Sequence, residues 1–156
     1  MVLYTATRIL GRSDAAQDVH QEVFLAIWQR WAKFDNPINW PGYLYRVTIS
    51  KAIDLIRCEQ KWPDSLEVLE ETPADRNPEP YHQLNAQELQ ERLRWCIARL
   101  PERQAQVFVM SRLEGLKHKE IAGHLACTQE TVRVHLHRAL RNVTDLMREY
   151  LEGGTD

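Results

Sequence analysis

Residues 117–140, KHKEIAGHLACTQETVRVHLHRAL, decide the fold of this chain. A short helix is predicted around Ile121 and Ala122, which form its apolar side. A tight turn follows, and Thr128 is a suitable N-cap for a second helix that starts at Gln129. Two short helices joined in this way form a helix-turn-helix, in which the first helix supports the second and the second enters the major groove of DNA.

The outer side of the second helix carries side chains that can read base edges. Arginine bonds guanine bidentately, glutamine can read adenine, and glutamate can accept from cytosine. We therefore expect base contacts from Thr128, Gln129, Glu130, Thr131, Arg133, Val134, His137 and Arg138. The cations better placed for phosphates, which fix position without reading sequence, are Arg112, Lys117, Lys119 and Arg141. From spacing alone, the alternative is a helical hairpin with a solvated face of mixed charge.

Histidines are frequent in this motif, but their spacing does not favour a metal site. His135 and His137 are two residues apart and therefore lie on roughly opposite sides of a helix. The sequence also contains no Gly-rich phosphate loop and no nucleophile elbow. We therefore expect no metal, no cofactor and no enzymatic activity.

Helical periodicity continues throughout the N-terminal block. One apolar stripe runs through Val19, Val23, Phe24, Ile27 and Trp31, and a second runs through Tyr45, Ile49, Ala52, Ile53 and Ile56. Turn-forming residues between the two stripes predict a loop over residues 35–42. No segment shows the period-two alternation of a half-buried strand. The predicted fold class is all-α.

An acidic connector divides the chain. Residues 62–80, WPDSLEVLEETPADRNPEP, contain four prolines and no sustained helical stripe. Proline removes a backbone donor and disfavours helix in the residue before it. We therefore predict two small helical domains, at residues 1–61 and 82–152, joined by a flexible acidic linker at residues 62–81.

The composition is that of an ordinary folded protein. The 156 residues are 44% hydrophobic and 27% charged, with a net charge of −2, which excludes a disordered tail and a collagen-like repeat. Cys58, Cys96 and Cys127 form no CxxC pair, as is typical of reduced thiols. The longest apolar run, residues 23–28, is too short to span a bilayer, and no signal peptide is evident. These features favour a cytoplasmic protein without membrane insertion.

Two longer motifs follow one another along the chain. The first comprises DAAQDVHQEVFLAIW at 14–28 and YLYRVTISKAIDLIR at 43–57; the second comprises LPERQ at 100–104, LEGL at 113–116, EIA at 120–122, TVR at 131–133 and HRAL at 137–140. The second motif resembles region 4 of bacterial RNA polymerase sigma factors of the extracytoplasmic-function (ECF) type, in the sigma-70 superfamily. Alone it would also fit the DNA-binding domain of a response regulator. The first motif resembles region 2 of the same sigma factors and favours that family.

The resemblance implies a non-catalytic transcription initiation factor that binds core RNA polymerase, directs it to promoters and aids DNA melting. In the family, region 2 docks on the β′ clamp helices, and the residues here that match this role are Asp18, Gln21, Glu22, Leu25 and Trp28. Its next helix and the preceding loop read the minus-ten element, for which the suitable residues are Asn36, Asn39, Trp40, Arg46, Lys51 and Arg57.

The same resemblance assigns region 4 to the β flap and to the minus-thirty-five element, which the helix from Gln129 would read. Factors of this type are commonly held inactive by an anti-sigma factor, so such a partner is compatible with the interpretation. A linker that lets both domains engage together raises the effective concentration of each.

Three alternatives remain open. Leu25 and Trp28 could belong to the intramolecular core, and Trp40 could cap that core. The chain could also be a two-domain helix-turn-helix regulator that binds DNA without polymerase. The helix at residues 14–28 distinguishes this last alternative, because such a regulator has no reason to carry it.

Overall fold

All regular elements in the described part of the chain are helical. The computed structural model describes residues 1–34, 37–61 and 86–153. The helices are α1 (Val2–Leu10), α2 (Ser13–Arg30), α3 (Trp40–Lys61), α4 (Ala86–Arg99), α5 (Glu102–Phe108), α6 (His118–Leu125) and α7 (Gln129–Gly153). A short 3-10 turn, Trp31–Lys33, follows α2, and a π-helical turn, Val109–Leu113, continues α5. The predicted all-α class is confirmed.

The buried side of α2 is narrower than the sequence predicts. Val19, Val23 and Ile27 are buried as expected. Phe24 and Trp31 are 48% and 63% exposed, so their predicted place in the stripe is wrong. Phe24 follows the buried Val23 by one position, which turns its side chain by about 100° around the helix axis. Trp31 lies in the 3-10 turn that follows α2, where the α-helical periodicity no longer holds.

Helix α3 begins inside the segment predicted as a loop. The chain is already helical at Trp40, and Pro41 stands in the first turn, where its missing N–H leaves no intrahelical bond unmade. Asn39 precedes the helix, and its Oδ1 accepts a hydrogen bond from the backbone N–H of Gly42 at 3.2 Å. The predicted loop therefore ends at Asn39, and Asn36 lies outside the described residues.

The predicted helix-turn-helix is formed by α6 and α7. Ala126, with φ of 51°, ends α6 in the left-handed conformation. The backbone N–H of Thr131 donates to Thr128 Oγ1 at 3.1 Å, so Thr128 is the N-cap, as predicted. Ile121 and Leu125 of α6 are buried against the inner face of α7. This packing fixes the direction in which α7 points its outer face.

One apolar core runs through both halves of the described chain. The N-terminal half consists of α1 to α3 and the C-terminal half of α4 to α7. Helix α3 joins the halves, because it packs on α1 and α2 of its own half and on α4, α5 and α6 of the other. Buried side chains such as Ile49 and Ile53 of α3 and Ile97 and Leu100 at the end of α4 belong to the same cluster. The predicted linker, residues 62–81, lies outside the described residues.

Candidate DNA- and polymerase-binding surfaces

The first half of α7 presents one continuous solvent-facing side. Residues three and four positions apart lie on the same face of a helix. The exposed residues at these spacings are Gln129, Glu130, Arg133, Val134, His137 and Arg138. Thr128 is exposed beside them, and the half-buried Thr131 has its hydroxyl 2.9 Å from that of Thr128. The structure therefore brings the eight predicted base-contacting residues together.

An ion pair lies at the centre of this face. Arg133 Nη1 is 3.1 Å from Glu130 Oε2, and both side chains are exposed. Pairs of this kind contribute little to stability because water screens both charges. The Arg133 guanidinium can therefore exchange Glu130 for another acceptor at small cost.

The predicted phosphate contacts surround this face. Arg112 lies on the π-helical turn, Lys117 and Lys119 lie at the start of α6, and Arg141 lies on α7. All four are exposed, and within the described residues none of them forms an ion pair. Unpaired cations around a reading face suit the backbone of a duplex.

The predicted polymerase contacts on α2 divide between two grooves. Asp18, Gln21, Glu22 and Leu25 line an open groove between α2 and α3. Trp28 lies one helical turn after Leu25 and lines a neighbouring apolar groove, shared with Phe24, Ile27, Trp31, Trp40 and Leu44. The four polar and aliphatic residues are thus brought together in one groove, and the tryptophan lines the next one along the helix.

Leu25 and Trp28 do not belong to the intramolecular core. Their side chains are 55% and 79% exposed, respectively. The alternative that assigned them to the core is therefore wrong. Large exposed apolar side chains beside polar groups are typical of a protein-binding surface.

The predicted polymerase and minus-ten sets meet at one ion pair. Lys51 Nζ on α3 lies 3.6 Å from Glu22 Oε2 on α2. Lys51 also lines the groove that holds Asp18 and Leu25. The structure therefore places Lys51 beside the predicted polymerase contacts.

Two other predicted minus-ten residues face the C-terminal half. Asn39 Nδ2 donates to the backbone carbonyl of Gly123 on α6 at 3.0 Å. Arg57 Nε donates to the carbonyl of Ala98 at 2.7 Å, and its Nη2 donates to the carbonyl of Leu100 at 3.3 Å. The carbonyls of Ala98 and Leu100 lie at the C-terminal end of α4, where a cation is favoured by the helix dipole.

Trp40 and Arg46 are both half-buried. The Trp40 ring stacks on Trp31 with centroids 6.0 Å apart and meets Phe34 edge-on at 5.4 Å. Trp40 packs against the apolar core, as one of the two alternatives expected. The predicted minus-ten residues in the described chain therefore lie on several sides of α3.

The sequence did not single out the residues at which the two halves meet most closely. Gly42 is buried, and a Cβ placed on it would lie 2.4 Å from the backbone oxygen of His124. The Tyr45 ring lies 5.2 Å from the His124 ring, and burial raises the pKa of Tyr45, with Glu114 and Glu120 adding to the rise. In the sequence, the only signal of this contact is Gly42 itself, which the prediction assigned to the loop at residues 35–42.

The half-buried carboxyl group of Glu114 lies where α1 meets the C-terminal half. Burial raises the pKa of Glu114, while the nearby Thr5 hydroxyl and the Arg8 guanidinium oppose the shift. Within the described residues, neither Glu114 Oε1 nor Thr5 Oγ1 has a hydrogen-bond partner of good geometry. The charged form of Glu114 is therefore poorly accommodated.

The described residues hold neither a metal-binding cluster nor a helix suited to a bilayer. In residues 1–34, 37–61 and 86–153, no group of His, Cys, Asp and Glu side chains is arranged to hold a metal ion. None of the helices in these ranges combines the length and the apolar character needed to cross a membrane.

The sequence matches two known families and several known proteins. Residues 1–62 match the family Sigma-70 region 2, and residues 90–143 match the family Sigma-70, region 4. The probable RNA polymerase sigma factor RfaY of Xanthomonas campestris pv. campestris is 28% identical over 132 residues, which are 83% of this chain and 33% of that protein. The chain thus spans about a third of that relative. The ECF RNA polymerase sigma-E factor of Haemophilus influenzae is 26% identical over 141 residues, which are 85% of this chain and 74% of that protein.

A solved structure has the same fold. The chain of CnrH, in complex with the cytosolic domain of CnrY, is 22% identical and superimposes with a TM-score of 0.54. The match covers 94% of this chain and 80% of that one.

A match to region 2 over the whole N-terminal half also argues against a DNA-binding regulator that acts without polymerase. The protein belongs to the sigma-70 family, among the ECF-type sigma factors, which are non-enzymatic and act in promoter-directed transcription initiation.

Proposed function

We propose that this sigma factor reads the minus-thirty-five element through the exposed side of α7 and meets core polymerase and the minus-ten element through α2 and α3. The observation that carries the proposal is the position of Arg133 on α7. Its guanidinium is exposed on a helix that is capped by Thr128 and held from behind by α6. A side chain so placed can enter a major groove without any rearrangement of the fold.

Within this face, chemistry suggests a division of labour. Arg133 and Arg138 are suited to guanine edges, and Gln129 is suited to adenine. Glu130 releases Arg133 on binding and can then accept from cytosine. The surrounding unpaired cations hold the duplex through its phosphates and make binding depend on salt.

For polymerase, we propose that the groove between α2 and α3 and the exposed Trp28 form one composite surface. The groove offers Asp18 and Glu22 as charges, and Trp28 offers a large apolar anchor. Interfaces concentrate their binding energy in such aromatic anchors. The surface suits a partner helix with basic side chains, in keeping with the β′ clamp helices that the family resemblance implies.

The anti-sigma partner, the cytoplasmic location and the domain limits at 1–61 and 82–152 stay predictions.

The proposed reading role of α7 is tested with Arg133→Ala. Polymerase holoenzyme formed with each variant is used to select the sequences that it binds from a duplex library with randomised sequence. Binding of the selected promoter DNA is then measured by electrophoretic shift. We expect about a tenfold or greater loss of affinity, because one bidentate base contact contributes about 1–3 kcal/mol.

Arg148→Ala is the matched control for this test. Arg148 lies on the same helix, is equally exposed and pairs with Asp145 three residues before it, as Arg133 pairs with Glu130. Holoenzyme formed with Arg148→Ala should bind promoter as the wild type does. Equal losses for both variants would mean that α7 acts only through its charge, and no loss for either would contradict the proposal.

The proposed polymerase surface is tested by capture of core polymerase with Trp28→Ala. Capture should weaken at least about tenfold, the loss typical of a truncated aromatic anchor. Leu151→Ala removes another exposed apolar side chain, at the far end of α7, and should capture core as the wild type does. Normal capture by Trp28→Ala would remove Trp28 from the interface.

A further inference from the structure

The groove between α2 and α3 has two walls, and the predicted polymerase contacts lie on one of them. The α2 wall carries Asp18, Gln21, Glu22 and Leu25. The residues of α3 that line the same groove are Lys51, Asp54, Leu55 and Cys58. The sequence predicts Lys51 as a minus-ten contact and predicts no binding role for the other three.

Both walls have the same helical spacing. The lining residues stand at positions i, i+3, i+4 and i+7, counted from Asp18 on α2 and from Lys51 on α3. Residues at these spacings share one face of a helix, so each wall is a single face about two turns long. Two such faces side by side form a trough, and a helix laid into a groove is a common mode of protein recognition.

The groove combines apolar and acidic side chains. The apolar residues that line it are Val19, Leu25 and Leu55, and the charged ones are Asp18, Glu22, Asp54 and Lys51. Three carboxylates against one ammonium group leave a net charge of −2. The complementary partner is an amphipathic helix that presents apolar side chains together with lysine or arginine.

The only cation that lines the groove is paired with an acid of the opposite wall. Lys51 Nζ lies 3.6 Å from Glu22 Oε2, and both side chains are largely exposed, so the pair costs little to open. A partner cation directed at Glu22 would have to replace Lys51. Asp54 lies 4.0 Å from Arg57 Nη1, at the long end of the range for an ion pair, and its carboxylate is exposed.

We propose that α3 supplies half of the polymerase-docking groove and that Lys51 competes with polymerase for Glu22 instead of contacting DNA. The inference rests on the proposed function, because it takes the α2 wall as a polymerase surface. Asp54, Leu55 and Cys58 contact a basic amphipathic helix of core polymerase, and one of its cations replaces Lys51 at Glu22. Lys51 thereby contributes to specificity, since a helix without a cation at this position gains nothing in return for opening the pair.

Alkylation of Cys58 tests whether α3 lines the interface. Cys58 is exposed in the free chain, whereas Cys96 is fully buried. N-ethylmaleimide is added to the free chain and to reconstituted holoenzyme without DNA, and mass spectrometry of peptides follows the modification of Cys58. We expect the reaction to be at least about tenfold slower in the holoenzyme, because a docked interface excludes water and reagent alike. Leu151→Cys adds an exposed thiol at the far end of α7, and this control should react equally in both samples.

The competition is tested with Lys51→Gln in titrations of core polymerase. Removal of the ammonium group frees Glu22, so the affinity for core should rise by about two- to fivefold, the range that a screened surface pair can account for. Promoter binding by holoenzyme saturated with Lys51→Gln should equal that of the wild type. Lys33→Gln removes the same charge from the 3-10 turn outside the groove and should leave the affinity for core unchanged.

Asp54→Asn is expected to act in the opposite direction. Loss of this carboxylate should weaken capture of core by about two- to fivefold, again the range of a screened surface charge. Asp145→Asn is the matched control, because Asp145 pairs with Arg148 three residues later, as Asp54 pairs with Arg57. Opposite signs for two substitutions in one groove separate a change in the interface from a general loss of stability, and circular dichroism verifies that each variant keeps its helices.

Each measurement has an outcome that contradicts the inference. Equal reactivity of Cys58 in the free chain and in the holoenzyme would exclude α3 from the interface, and equal capture by Asp54→Asn and Asp145→Asn would remove Asp54 from it. Unchanged or weaker capture by a folded Lys51→Gln would overturn the competition, as would a loss of promoter binding by its holoenzyme. If the wild type captures core and Trp28→Ala weakens capture while Cys58 stays reactive, only this inference fails. If the wild type does not capture core, the proposed function fails and takes the inference with it.

Discussion

At the scale of single residues, the charged form of Glu114 is unfavourable in the folded chain. Its carboxyl lies beside Thr5 and Arg8 of α1, and burial raises its pKa above the ordinary value. The folded chain therefore holds a proton on Glu114 over a range in which the unfolded chain has lost it. In that range, stability falls as pH rises, and the full loss is present above the folded-state pKa.

We expect Glu114→Gln to raise the free energy of unfolding at neutral pH, by less than about 1 kcal/mol because the partly exposed charge is screened by water. The gain should shrink as the pH falls through the raised pKa and vanish below the pKa of the unfolded chain. Urea unfolding at several pH values measures the difference between variant and wild type. Glu149→Gln, at an exposed site on α7, is the control, and a gain in Glu114→Gln that does not depend on pH would contradict the assignment.

At the scale of the element, the start of α7 depends on one hydroxyl. Thr128 Oγ1 accepts the N–H of Thr131 at 3.1 Å and satisfies one of the donors that the first turn leaves free. The same turn carries Gln129 and Glu130, and Arg133 follows in the next turn, so fraying at this end would disorder the reading face as well as the helix.

We expect Thr128→Ala to lower the free energy of unfolding by about 1 kcal/mol and to weaken promoter binding at the same time. Thr144→Ala is the control on the same helix, because the Thr144 hydroxyl only bonds back to the carbonyl of Leu140 at 2.8 Å. That substitution should be neutral or slightly stabilising, since alanine favours the helix interior. Thermal unfolding and electrophoretic shift measure the two effects. A cap role is ruled out if both threonine variants lose the same stability.

At the scale of the whole molecule, the two halves share one core rather than two. Ile97 of α4 is almost fully buried and lines a groove with Ile9 and Arg8 of α1. A side chain in this position is surrounded by atoms from both halves. The halves should therefore unfold together in the free protein.

We expect Ile97→Ala to cost about 2–5 kcal/mol and to reduce hydrogen-exchange protection in α2 as well as in α6. Mass spectrometry of exchanged peptides measures both helices in one experiment. Leu151→Ala, at an exposed site, should change neither. Protection lost in α6 but kept in α2 would show that the halves are energetically independent.

Local signals predicted α2, α3, α6 and α7. The cap at Thr128 acts within one turn, so the sequence around it is sufficient to indicate where α7 begins. The exposed side of α7 was also predictable, because a strongly amphipathic helix can bury only one face. Pro41 and Gly42 misled the prediction, since the same residues suit a turn and the first turn of a helix.

What the sequence by itself determined is therefore the all-α class, the helix-turn-helix and the residues that α7 presents to solvent. Each depends on periodicity and capping within about 25 residues. Only the tertiary structure decided that Lys51 pairs with Glu22 of α2, and that Asn39 and Arg57 contact the C-terminal half. The contacts of Asn39 and Arg57 join residues 84 and 41 positions apart in the chain, and no local pattern encodes a contact whose acceptors are backbone carbonyls, which every residue carries.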